Sequence, residues 1–414
     1  MEITTLGAVT GLALAIFLIV KKFNPAYSLI LGALIGGVVG GASIQTTVNI
    51  MIEGAGGMSP AVLRILTAGI LAGVLIESGA AGRIAESIIT ILGEKRVFLA
   101  LALSTLILTA VGVFVDVAVI TVSPIALSVG KRLKLSKMSI LLAMIGGGKA
   151  GNIISPNPNT IAAAEAFKVD LFSLMETNII PAICGLIFTI IIVKRLVNKG
   201  EKVEESDENE PASNLPPLWA AILGPIVTVV LLSLRPVADI SIDPLIALPA
   251  GGIIGCIAMG KIKDIKEYMT YGLSKMTGVA ILLLGTGTVA GIIKHSTLKD
   301  VTLDLLKSSG LPEFVLAPIS GALMSAATAS TTAGTTVASA TFAEAIMAAG
   351  VSGLAGAAMV HAGATVLDHL PHGSFFHATA GCTNTNVNER LKLIPYESAV
   401  GFVLAFVSTL LHVF

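Results

Sequence analysis

Residues 146–160 read Gly146-Gly147-Gly148-Lys149-Ala150-Gly151-Asn152-Ile153-Ile154-Ser155-Pro156-Asn157-Pro158-Asn159-Thr160, a run of glycines, prolines and amides inside a long apolar region, about 97–175. Glycine opposes an uninterrupted helix through backbone entropy, proline through its missing N–H and its ring. Non-helical backbone at membrane depth survives only where it is buried in protein or lines a wet cavity. The run therefore predicts a helix broken in mid-membrane. A second break of the same kind, Asp368-His369-Leu370-Pro371-His372-Gly373-Ser374, lies in the other interrupted apolar region, about 313–378.

The two regions match at a constant offset. Gly146–Phe167 aligns with His361–Cys382, which sets Pro156 opposite Pro371. Upstream, Leu71–Ser78 aligns with Val289–Ser296, amphipathic stretches follow at Ile84–Leu92 and Val301–Leu306, and small residues follow them at Gly93 and Gly310. The offset stays between 215 and 218 residues throughout. The pattern predicts two related halves, 1–197 and 216–414. Each holds a re-entrant hairpin (about 97–130 and 313–346) and a discontinuous helix (about 138–175 and 351–378). Between them, 198–215 carries Glu201, Glu204, Glu205, Asp207, Glu208, Glu210 and Pro211, with Pro216 and Pro217 directly after it, and reads as a flexible, solvated linker.

Composition fixes the solvent. Of 414 residues, 54% are hydrophobic and 13% charged, and the mean hydropathy is +0.90. A soluble domain of this size lacks the polar surface to cover that much apolar area. The expectation is an all-α polytopic membrane protein of about eleven membrane elements. Candidate spans are about 3–21, 26–42, 60–77, 178–196, 216–234, 243–260, 276–294 and 394–413. The first is read as a retained helix, because Lys21 and Lys22 follow it where a cleaved signal would carry its charge in front. Zero net charge gives no sign of a nucleic-acid partner. Cys184, Cys256 and Cys382 show no metal spacing and read as small buried hydrophobes, with no cofactor implied.

Most Lys and Arg residues fall on one side if the N-terminus is outside. Lys21, Lys22, Arg83, Lys95, Arg96, Lys131, Arg132, Lys261, Lys263, Arg390 and Lys392 are then cytoplasmic. The first hairpin enters from inside and the second from outside. The repeats are inverted, an arrangement that supports alternating access around a midplane site.

The breaks carry the candidate chemistry. Unwinding a helix at depth frees backbone N–H groups and exposes half-helix N-termini with positive dipole ends, which suits a small organic anion. Candidate substrate ligands are Lys149, Asn152, Ser155, Asn157, Asn159, Thr160, Ser330, Thr331, Thr332, Thr335, Thr336, His372 and Ser374. The same side chains also serve to satisfy backbone groups freed at the breaks. Asp116, in the apolar run 111–120, is the leading candidate for carrying a coupling proton, with Asp368 and His369 beside the second break. Asp116 also reads as a partner for Lys149, or the two as a pair that exchanges for substrate. His369 and His372 lack the further ligand pattern a metal needs.

Gly54-Ala55-Gly56-Gly57, Leu75-Ile76-Glu77-Ser78-Gly79-Ala80-Ala81-Gly82-Arg83-Ile84-Ala85 and Gly93-Glu94-Lys95-Arg96-Val97 together resemble the gluconate permease (GntP-type) family. The resemblance covers nearly the whole chain and is strongest over 54–170. It implies an inverted-repeat carrier of the inner membrane with two hairpins and two broken helices, and proton-coupled uptake of gluconate or related hydroxy acids. By this resemblance Asp116 falls where the family has a Glu after two aromatics, and His369 matches a His of the second break. Ser155–Thr160 replaces the family's Pro-Pro-His-Pro-Gly-Pro run. Pro371-His372 replaces its Asn-Asp, and Lys149 stands at an apolar position. Those departures leave room for a di- or tricarboxylate substrate and for sodium as coupling ion. A homodimer follows by analogy only.

Two rival classes fit the sequence less well. Gly350-Val351-Ser352-Gly353 with His361 looks like an intramembrane protease motif, but Ser352 sits where a helix should begin and is a good N-cap. A channel would not need matched breaks in two inverted halves.

Overall fold

A computed structural model describes residues 3–204, 215–238, 240, 242–298, 301, 304, 308 and 312–413. The described residues are almost wholly helical. The order is α1 (Thr5–Val20), α2 (Pro25–Val39), α3 (Ile44–Gly57), α4 (Ser59–Glu77), α5 (Ala80–Leu92), α6 (Val97–Ala110), α7 (Val115–Arg132), α8 (Lys137–Asn152), α9 (Pro158–Phe167), α10 (Leu171–Thr177) and α11 (Ile179–Val193). There follow α12 (Leu218–Ala238), α13 (Pro244–Ala258), α14 (Ile265–Lys294), α15 (Leu316–Thr328), α16 (Thr331–Ala348), α17 (Gly353–Gly363), α18 (Ser374–Cys382) and α19 (Val387–Val413).

Two groups of helices pack against each other. In one, α14 lies against α2, α3 and α4, with α13 on α4 and α12 on α13. In the other, α8 lies among α6, α7, α11 and α19, while α17 lies against α15, α16, α9 and α19. Contacts of α4 with α9, α5 with α12 and α14 with α16 join the groups. By length and composition three helical stretches among the described residues can cross a membrane: 59–77, 262–294 and 387–413. The pair α10–α11, bent by 41°, makes a fourth. Shorter apolar helices among the described residues include α1, α2 and α13. The observed α14 and α19 start well before the expected 276 and 394, because their first turns are too polar to show as apolar sequence.

The first expected break is narrower than its sequence implied. Gly146–Asn152 is helical, and the interruption covers only 153–157. The glycines bring neighbours close instead of breaking the helix. A Cβ at Gly147 would meet the Ala102 carbonyl and one at Gly151 the Leu106 carbonyl, both on α6, while Gly146 faces Thr189 of α11. Small residues four apart let helix backbones approach in this way. Every residue of α8 is buried, so α8 is a central strut enclosed on all sides.

The second hairpin tip is also shorter than expected. Only Ala329 and Ser330 lie outside helix, and Thr331–Thr336 opens α16. Ala329 is left-handed, φ +46°, a strained conformation for a residue with a Cβ. Its carbonyl would collide with any Cβ at Gly373, so the tip rests on the second break. The first tip spans 111–114 around Gly112, φ +103°.

The start of the expected linker is pinned rather than free. Lys137 N donates to Glu201 O at 2.9 Å, Glu201 N to Glu389 Oε1 at 2.7 Å and Val203 N to Leu135 O at 3.1 Å. Val203 is an apolar residue with a groove to fill, which the acidic composition around it concealed. Residues 205–214, Gly310 and most of the stretch 301–306 lie outside the described residues.

Candidate functional site

The breaks bring charges together. The Lys149 ammonium, on the last turn of α8, donates to Asp368 Oδ1 at 2.6 Å and to the Thr365 carbonyl at 2.6 Å, and lies 2.9 Å from His369 Nδ1. Thr331, first residue of α16, donates to Asp368 Oδ2 at 2.5 Å. His369 Nε2 lies 3.1 Å from both Ile394 O and Ser398 Oγ on α19. Lys149 is 1% exposed and His369 0%. A lone ammonium in such a place would be prohibitively costly, so the carboxylate and the carbonyl that face it are what permit it.

Beyond His369 lies a second buried ion pair, Arg390 with Glu397, both fully enclosed. Arg390 Nε donates to Phe376 O at 3.3 Å, and its guanidinium stacks 4.8 Å from the Phe376 ring. Glu397 Oε2 is 3.9 Å from His369 Nδ1. Sequence reasoning missed this pair and placed Arg390 in a cytoplasmic loop. Their seven-residue spacing sets both on one face of α19, two turns apart, which is the signal that was available. A pairing with Lys149 is one of the alternative readings of Asp116, and it is not formed. Instead Asp116 stands in the first turn of α7 and accepts from Val117 N at 2.9 Å.

The amides sort into two roles. Asn157 caps α9, accepting from Asn159 N at 2.9 Å and Thr160 N at 3.1 Å, and its amide donates to Asn152 O and Oδ1 at 2.9 and 2.5 Å. Ser330 caps α16 by accepting from Ala333 N at 3.2 Å. These side chains serve the backbone. By contrast, Ser155 Oγ, Asn159 Oδ1, Thr335 Oγ1 and Thr336 Oγ1 are buried with no hydrogen-bond partner. Buried polar atoms are normally satisfied, so an orphaned set marks where water or a ligand belongs. α9 packs on α16, which places both orphaned groups in adjoining elements. His372 is half-buried with Nε2 3.3 Å from Ala327 O. Thr332 and Ser374 lie in the first turns of α16 and α18.

Two cavities flank the joint between the helix groups, of about 310 and 520 Å³, and Glu165 and Lys168 line both. The smaller holds a triad that sequence reasoning also missed. Arg64 of α4 pairs with Glu165 of α9 and, through Nη2 at 2.8 Å, with Asp243 Oδ2 ahead of α13. The larger is lined by Ser339 and Thr341, whose buried hydroxyls also have no partner. Neither cavity reaches Lys149 or Asp368.

Ser352 Oγ accepts from Ala355 N at 3.2 Å as an N-cap, and His361 is fully buried with neither ring nitrogen bonded. That is no nucleophile–base pair.

Residues 3–414 match the GntP family permease profile. The chain belongs to that family. An uncharacterized transporter of Haemophilus influenzae is 61% identical to this permease over 410 residues, 99% of this chain and 98% of that one. The high-affinity gluconate transporter of Escherichia coli K12 is 22% identical over 440 residues, 97% and 98% of the two chains. Among solved structures, the YdaH transporter of Alcanivorax borkumensis superposes with a TM-score of 0.69 over 89% of this chain and 87% of that one. At 14% identity that likeness shows the fold alone, a helical membrane-transporter fold. The permease is thus a membrane transporter and not an enzyme.

Proposed function

We propose that this permease imports a small hydroxylated carboxylate across the bacterial inner membrane by proton symport, with alternating access. The observation that carries this reading is the buried Lys149–Asp368 pair at 2.6 Å, which ties the last turn before the first break to the second break. An ammonium held by a neighbouring carboxylate is a cation that a substrate carboxylate can claim. The unpartnered atoms of Ser155, Asn159, Thr335 and Thr336 are matched to the hydroxyls of a sugar acid. Gluconate-transporting relatives support the same class.

The halves 1–197 and 216–414 act as inverted repeats in this reading. Each runs from apolar helices through a hairpin to an interrupted helix, and α9 and α18 end at Phe167 and Cys382, 215 residues apart. The helices bearing hairpins and breaks would move as one body against α4, α13 and α14. The N-terminus faces outward by the distribution of Lys and Arg.

A second reading, a di- or tricarboxylate carrier, is favoured by one observation: a buried lysine adds a positive charge within the site. The deciding experiment is uptake into proteoliposomes of labelled gluconate, glycerate, citrate and a dicarboxylate, under a proton gradient, a sodium gradient, or neither. Proton-driven accumulation of the sugar acid is the expected result. Preference for citrate or the dicarboxylate selects the second reading, and no concentrative uptake of any of the four rejects both.

A further inference from the structure

We propose that His369 carries the coupling proton, and that it gains this proton in exchange for the Lys149 ammonium when that ammonium turns to the substrate carboxylate. The inference rests on the symport reading above and names its exchange chemistry.

The geometry assigns the hydrogens. The three ammonium hydrogens of Lys149 face three groups: Asp368 Oδ1 at 2.6 Å, Thr365 O at 2.6 Å and His369 Nδ1 at 2.9 Å. An ammonium has no lone pair to offer, so Nδ1 is the acceptor. At the other edge of the ring, Nε2 lies 3.1 Å from the Ile394 carbonyl, which can only accept, so Nε2 carries the hydrogen. His369 is therefore neutral with Nδ1 bare.

Nδ1 and Asp368 Oδ1 are nonetheless only 2.9 Å apart. Two lone-pair atoms at that separation repel unless a positive hydrogen serves them, and the Lys149 ammonium serves both. If it leaves, the pair needs a replacement, and a proton on Nδ1 is one. The imidazolium then donates Nδ1–H to Asp368 Oδ1. Asp368 Oδ2 stays engaged by Thr331 at the tip of the second hairpin, so one oxygen is fixed and the other exchanges cations.

The surrounding charges do not change in this swap. The groups facing His369 are Lys149 from α8, Asp368 beside it, and Glu397 from α19 at 3.9 Å, which is itself paired with Arg390. Before the exchange Lys149 neutralises Asp368. Afterwards protonated His369 neutralises Asp368, and Lys149 neutralises the substrate. One proton enters from solvent for each carboxylate bound. Empty and loaded carriers then bear the same net charge for a monocarboxylate, so its symport is electroneutral.

The test uses the full-length permease in proteoliposomes, with labelled gluconate, a trapped pH dye, and membrane potential set by potassium and valinomycin. The expected result is one proton per gluconate, and an uptake rate that follows the pH gradient and ignores voltage. His369→Gln is expected to lose pH-driven accumulation, whereas Asp116→Asn, whose carboxylate takes no part in the exchange, is expected to keep one proton per gluconate. A stoichiometry of zero, or voltage-driven uptake, overturns the proposal. So does pH-driven accumulation surviving in His369→Gln, above all if Asp116→Asn abolishes it, which would move the proton to Asp116. If His369→Gln is inactive in every assay, Asp116→Asn decides: one proton per gluconate retained there supports the proposal, and its loss there overturns it. Failure of the symport reading is separate, because it appears as no proton-driven gluconate uptake by the wild type.

Discussion

The Lys149 ammonium and the Asp368 carboxylate stand 2.6 Å apart although 219 residues separate them. The pair ties the central helix α8 to the interrupted segment after α17, so each half of the chain holds the other at its break. Both side chains are buried, 1% and 6% exposed, and a charge at membrane depth is costly without such a partner.

Breaking this pair from one side is expected to cost more than removing it. Lys149→Met or Asp368→Asn alone leaves a buried group uncompensated, a loss of about 3–5 kcal/mol. The double variant leaves no orphan charge and should recover part of that loss. Unfolding of the purified variants in detergent measures the difference, and additive losses would show the pair to be uncoupled.

The two classes of polar side chain at the breaks should separate stability from affinity. Asn157→Ala removes the cap of α9 and should cost about 0.5–2 kcal/mol with disturbed folding. Thr335→Ala and Ser155→Ala remove hydroxyls that have no protein partner, so stability should hold or improve while KM for a hydroxy acid rises. Equal melting shifts in all three would refute the division.

Gly147→Ala is expected to destabilise by about 1–3 kcal/mol through overpacking, because its Cβ would meet the Ala102 carbonyl on α6. Gly57→Ala, with open space at the Cβ position, is the control and should be near neutral. Thermal melting in detergent compares them.

The Arg64 guanidinium, hydrogen-bonded to Asp243, holds that carboxyl below its usual range. A carboxyl with a depressed folded value contributes stability above its unfolded value, near 4, and loses it as pH falls through the folded value. Asp243 should therefore add nothing to the pH dependence of the melting temperature between about pH 5 and 8, and its contribution should be lost on acidification below about pH 4. In Asp243→Asn the acid-side fall should be smaller. An unchanged acid limb would show that the contact contributes nothing.

Much of the architecture was legible in the sequence. The prolines at 156, 158 and 371 marked both interruptions, and the offset near 215 paired them. The glycine run misled, because glycine both weakens a helix and lets a neighbouring backbone approach, and only the neighbour decides which effect prevails. At the site, Lys149, Asp368 and His369 were each visible as charged or titratable groups in apolar surroundings. Their partners were not. One reading of the sequence paired Lys149 with Asp116, while the fold delivered Asp368. Arg64 with Glu165 and Asp243, and Arg390 with Glu397, passed unnoticed because basic residues near helix ends ordinarily face water.

By itself the sequence determined the solvent, the helical class, the two interruptions and the family, because these follow from local properties: apolar length, missing N–H donors and repeated spacing. Only the tertiary structure decided which charges neutralise each other and which hydroxyls are left without partners. Those are properties of pairs distant in the chain. In a low-dielectric interior a buried charge is tolerable only beside its counter-charge, and the packing of α8 against the second break fixes that choice.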